Sequence, residues 1–161
     1  TIEAWQFALE ETKSPNILVL TRQNLPLLRS FHTKENFVKR GAYPILDFIE
    51  YDATILATGS EVEIALQSSV ALSKENIKVR VISFPSWELF EKQNIEYQKE
   101  ILGNKTLFGI EAGVSNGWEK FILNKNFLGM KSFGASGPYK NLYEHFGLTS
   151  TNLIKLIKNN I

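Results

Sequence analysis

Ala53-Thr54-Ile55-Leu56-Ala57-Thr58, followed by Gly59-Ser60 and then Glu61-Val62-Glu63-Ile64-Ala65-Leu66, decides the fold. Six short apolar and β-branched residues read as a buried strand, the Gly-Ser pair as a turn and helix cap, and 61–75 as a helix with Val62, Ala65, Ser69 and Leu72 inward. The rhythm repeats outward from there. Residues 77–83 predict the next strand, Pro85-Ser86 punctuates it, and 87–102 follows as helix. Thr106–Ile110 predicts a third strand, with Glu111-Ala112-Gly113 behind it and a helix around Trp118–Leu123. Residues 129–133 predict a fourth strand. Pro138 at the first helical position and Gly147 at the end bracket a short helix. Thr149 or Ser150 caps the last helix, whose Leu153, Leu156, Ile157 and Ile161 face inward. Strands alternating with helices imply an α/β domain with a mostly parallel sheet, covered on both sides as a three-layer α/β/α sandwich.

Upstream, Ile2, Trp5, Ala8, Leu9 and Thr12 share one helical face that Ser14-Pro15 ends, and Asn16–Thr21 reads as a buried strand. Residues 22–44 keep no period. They carry Pro26, Gly41, Pro44 and the basic residues Arg22, Arg29, Lys34, Lys39 and Arg40, and read as a linker too long for a loop inside one domain. The opening Thr-Ile-Glu-Ala-Trp lacks an initiator Met and the layout of a signal peptide. It begins on an amphipathic pattern, as a piece of something larger would.

The chain has 161 residues with eighteen Lys+Arg against seventeen Asp+Glu, a formal charge of +1. That balance argues against nucleic acid or an anionic membrane as partner. No apolar run approaches the eighteen or so residues that span a bilayer. With no cysteine, disulfides, thiolate metal sites and Cys nucleophiles are excluded, and a reducing compartment fits.

Candidate chemistry is sparse. Gly59-Ser60-Glu61 occupies the strand-to-helix turn where doubly wound sheets bind phosphates. A single glycine and an adjacent acid depart from the dinucleotide pattern, so Ser60 as a helix cap is the favoured reading. Glu111 is expected near Glu61 on the same sheet edge. Paired carboxylates can do acid–base work or hold a metal, but with no third ligand at a metal-loop spacing the expectation is capping and interface contacts. His32 and His145 belong to no catalytic spacing and read as structural. Gly134–Pro138 lacks the Lys-Ser/Thr of a phosphate loop and reads as a turn. Arg22 leaves the end of an apolar run, and a guanidinium suits two-point recognition of phosphate or carboxylate. On spacing alone a salt bridge serves it equally well.

The segments "LTRQNLP" (20–26), "ILATGSEVEIAL" (55–66), "VRVISFPSWELFEKQNIEYQKEIL" (79–102), "GIEAGVSNGWEKF" (109–121) and "FGASGPYKNLYEHFGLT" (133–149) together resemble the transketolases. Thr21 stands where Ser is usual and Gly137 where Ala is common. The resemblance implies a Rossmann-like transketolase C-terminal domain at 45–161. It further implies a connector at 25–44 and the tail of the pyrimidine-binding domain at 1–24. It implies a parent enzyme that moves a two-carbon ketol unit from a ketose phosphate to an aldose phosphate in the pentose phosphate pathway. Thiamine diphosphate is the carrier there, anchored by a divalent metal (magnesium or calcium). It also implies a cytoplasmic homodimer, and makes Arg22 the residue that grips the substrate's terminal phosphate. No catalytic, cofactor-binding or metal-binding residue is expected in this piece, which alone is expected to be inactive and to support interdomain and dimer contacts. Two alternatives share these features. One is the C-terminal domain of a related thiamine enzyme, such as dihydroxyacetone synthase or deoxyxylulose-phosphate synthase. The other is a non-catalytic regulatory or dimerisation module.

Overall fold

The computed structural model describes residues 1–29 and 33–161. Its centre is a five-stranded sheet in the order β1-β3-β2-β4-β5. β2 (Ala53–Ala57), β3 (Val79–Ser83) and β4 (Thr106–Ile110) run parallel with β5 (Phe127–Leu128), and β1 (Tyr43–Leu46) joins β3 antiparallel at one edge. Every residue of β2 and β3 is buried, as strands covered on both faces require.

The two faces carry separate cores. On one, Ile55, Val81, Phe108 and Ile110 pack against α2 (Glu61–Ser73) through Val62, Ala65 and Leu72, and against α6 (Ser150–Lys158) through Leu153 and Ile157. On the other, Leu56, Ile82 and Phe84 meet Phe90 of α3 (Trp87–Glu91), Ile101 of α4 (Ile95–Leu102) and Trp118 of a 3₁₀ turn. Phe84, Trp87, Phe90, Trp118 and Phe121 meet there largely edge to face, the arrangement ring quadrupoles favour. The three layers are therefore those expected from the sequence.

Local differences have local causes. Residues 87–102 form two helices because the Asn94 side chain accepts the Tyr97 N–H at 2.8 Å and starts α4 afresh. The predicted 129–133 strand is absent. β5 stops at Leu128, and the Met130 N–H turns to the Gly113 carbonyl at 2.8 Å instead of continuing the ladder. Within the aperiodic stretch 22–44, a 3₁₀ turn covers Phe37–Arg40 and β1 begins at Tyr43. Gly41 links them at φ +76°, and a Cβ there would lie 2.1 Å from the Phe90 nitrogen. Ile161 is exposed rather than inward, lying past the end of α6. Pro138 stands one position before α5 (Tyr139–His145).

The N-terminal region departs most. α1 (Ile2–Glu10) buries no residue, and Ile2, Trp5 and Leu9 of its apolar face are exposed. Residues 16–21, expected as a buried strand, form no ladder, and Ile17 and Val19 are 89% and 91% exposed. An apolar run becomes a strand only where a neighbour offers backbone partners, and none lies alongside among the described residues. Polar contacts hold this region to the body instead. Glu3 pairs with Arg29 and accepts the Val38 N–H at 3.2 Å, Asn36 Nδ2 donates to the Glu3 carbonyl at 2.8 Å, and Lys39 pairs with Glu10. Partial burial pushes the Glu3 carboxyl up, and the Arg29 and Val38 hydrogen bonds outweigh it, so the group sits below the ordinary glutamate range.

Candidate functional site

The order of the parallel strands reverses around β2, with β3 on one side and β4 on the other. In open α/β sheets the crevice beyond the carboxyl ends at such a point is the usual ligand site. Here it is filled from within. Glu61, the first residue of α2, is 4% exposed. Its Oε2 accepts the Ala112 N–H at 3.1 Å, across the gap to the end of β4. Its Oε1 accepts the Ser60 hydroxyl at 2.7 Å and the Tyr143 phenol of α5. Ser60 Oγ lies 2.9 Å from the same phenol. Ser60 thus occupies the cap position without making a cap bond, because its hydroxyl is committed to this cluster. Burial, followed by the hydrogen bond to Glu61, pushes the Tyr143 phenol up to about 12.

Glu111 shares that edge, but its Oε2 accepts the Trp118 indole N–H at 2.6 Å. The two carboxylates thus take separate donors within the chain. Among the described residues no group of three or more His, Cys, Asp or Glu is placed to hold a metal ion. The turn that would receive a diphosphate presents a buried carboxylate. That turn, with Glu61 in it, does not suit a diphosphate.

Arg22 lies at an exposed bend following Leu20-Thr21 and makes no ion pair with any described residue. The run before it helps wall a groove of about 620 Å³, open between α1 with residues 14–20 on one side and the carboxyl ends of β2 and β3 on the other. Thr58, Gly59, Ser83 and Pro85 form the sheet side of that groove. Arg22 and the Glu61 cluster are separate features: nothing brings the guanidinium to the carboxylate. His145 is exposed at the end of α5, edge to face with Phe146, in the structural place expected of it. His32 lies outside the described residues. Residues 134–138 are exposed and lead into α5.

Tyr143 was not legible as Glu61's partner, since the two are 82 residues apart and no local spacing links them. Arg80 was also missed. It is buried in β3 with its Nε 2.7 Å from Asp47 Oδ1, off the line of a good hydrogen bond, and its guanidinium lies over the Tyr51 ring. Its place in an otherwise apolar strand is the signal that it needs such partners.

Comparison with known proteins agrees with this geometry. A family model for the transketolase-like C-terminal domain matches residues 41–149. The transketolase of Cereibacter sphaeroides is 43% identical over all of this chain, which covers 25% of that protein. The solved transketolase of Leishmania mexicana superposes with a TM-score of 0.88 at 38% identity, over 95% of this chain and 22% of its own. A Pichia stipitis transketolase in complex with sedoheptulose 7-phosphate gives 0.86 at 32% identity, over 95% of this chain and 22% of that one. The chain spans about a quarter of the length of the curated relatives it matches. Three-layer sheet, matched segments and relatives agree, and the chain belongs to the transketolase-like C-terminal domain family.

Proposed function

We propose that the chain is the C-terminal part of a transketolase, an enzyme moving a two-carbon ketol unit from a ketose phosphate to an aldose phosphate. Its cofactor would be thiamine diphosphate with a magnesium or calcium ion, held by residues outside this chain, in a cytoplasmic homodimer. Residues 45–161 serve as the C-terminal domain, 25–44 as the connector, and 1–24 as the end of the pyrimidine-binding domain. The exposed apolar residues of α1 and of 17–20 support this division, since they suit a surface packed against further protein. No helix among the described residues is long and apolar enough to cross a membrane.

Arg22 is the residue of this chain assigned to the substrate. The observation that carries the assignment is an exposed guanidinium with no carboxylate partner among the described residues, at the end of an apolar run that helps line an open groove. The sedoheptulose 7-phosphate complex of the Pichia relative supports a phosphorylated sugar as the ligand. A fixed, bidentate arginine holding the distal phosphate uses remote binding to orient the reacting end.

Arg22→Ala in the intact enzyme tests this. Loss of a charge-assisted hydrogen bond costs about 1.5–3 kcal/mol, or about 10- to 150-fold in kcat/KM for phosphorylated sugars, chiefly through KM. Hydroxypyruvate with an unphosphorylated acceptor should scarcely respond. Arg22→Lys should recover only part, because an ammonium keeps the charge without the planar fork. Equal losses on phosphorylated and unphosphorylated substrates would remove Arg22 from the site.

A further inference from the structure

The bend that presents Arg22 is made by its two neighbours. Thr21 Oγ1 accepts the backbone N–H of Gln23 at 3.3 Å, closing a small hydroxyl-to-backbone ring around Arg22. Gln23 is turned inward, its side-chain Oε1 shut off from solvent, while Arg22 between them is exposed. Three consecutive residues thus differ: one closes the turn, one projects, and one turns inward with its Oε1 unpaired among the described residues. Such a ring restrains the backbone of the residue it encloses. An arginine side chain is long and loses rotamer freedom when it grips a ligand, so the direction in which its backbone launches it governs how much of that cost remains.

We propose that Thr21 is a positioning residue for Arg22: its hydroxyl holds the 21–23 turn in the form that aims the guanidinium at the substrate phosphate. The proposal rests on the reading of Arg22 as the phosphate grip and adds the group that makes the grip ready before substrate arrives. It accounts for the tolerance of Thr at a place where the resembling family uses Ser, since either hydroxyl closes the ring.

The test uses the intact enzyme and four variants. Thr21→Val keeps the shape and removes the hydroxyl. Thr21→Ala removes it without placing a methyl against Gln23. Thr21→Ser keeps it, and Arg22→Ala removes what is positioned. The ratio of KM for a phosphorylated sugar to KM for an unphosphorylated one should rise about three- to tenfold in both Thr21→Val and Thr21→Ala, the weight of one modest hydrogen bond. It should return to the parent value in Thr21→Ser. Adding Thr21→Val to Arg22→Ala should change the ratio no further, because coupled residues are not additive. If Arg22→Ala raises the ratio but neither hydroxyl deletion does, or if the effects of Thr21→Val and Arg22→Ala simply add, the positioning role is overturned while Arg22 stands. If Arg22→Ala leaves the ratio unchanged, the reading of Arg22 falls and this proposal falls with it.

Discussion

Glu61 is nearly sealed from solvent, and a polar side chain so placed needs the donors that surround it. Glu61→Ala strands the Ala112 N–H and leaves the Tyr143 phenol with Ser60 alone, at a cost of about 2–4 kcal/mol. For a chain of this size that lowers the Tm by about 5–15 °C in a thermal melt. Glu61→Gln should cost less, since its amide oxygen still accepts while its NH₂ faces another donor. Tyr143 adds a pH dependence whose sign follows from its shift. The phenol titrates at about 12 in the folded chain and at about 10 when unfolded. The folded form therefore holds its proton to higher pH, and the stability gained below pH 10 is lost as pH climbs from 10 to 12. Urea midpoints measured across that window should fall, and Tyr143→Phe should flatten the fall. A slope unchanged in Tyr143→Phe would show that the phenol is not the responsible group.

Elements differ in how much of their stability they carry themselves. β3 is buried throughout and laddered on both sides, whereas 17–20 forms no ladder. In hydrogen exchange on this chain alone, amides of 17–20 should exchange orders of magnitude faster than those of 79–83. Equal protection would mean that residues 1–24 fold onto the body independently of any other part. The same contrast explains what was legible in advance. The apolar runs at 53–57, 79–83 and 106–110 read correctly because their neighbours in the sheet lie within this chain. Ile17–Leu20 carries the same composition, but no described strand lies beside it. The break at Asn94 was available as a cap residue and was masked by the helical period on either side. At the site, the position of Glu61 followed from strand, turn and helix, whereas the bond from the Trp118 indole to Glu111 did not follow from any spacing. The link from Glu61 to Tyr143 is a tertiary contact that no period or spacing carries.

At the scale of the molecule, the described residues build two cores around one sheet and leave the N-terminal arm attached by ion pairs and hydrogen bonds. Isolated, the chain should fold through 45–161. It should give no saturable heat on titration with thiamine diphosphate and magnesium, since the turn at the sheet's carboxyl edge presents Glu61 where a diphosphate would sit. Saturable binding at micromolar concentration would overturn the division into domains. If the chain is the C-terminal part proposed above, sedimentation should find a monomer at low micromolar protein, because it covers only 25% of the length of its Cereibacter sphaeroides relative. The sheet itself has a further property. One border is β1, where Pro44 has no N–H to offer and the register slips between Pro44 and Leu46, and the other is β5, two residues long. Proline, an irregular register and brevity are the means by which natural sheets refuse additional strands. Fibril growth from this domain should therefore not spread from its sheet but start on the arm, where Ile17 and Val19 stand uncovered, and a single lysine at position 19 should suppress it.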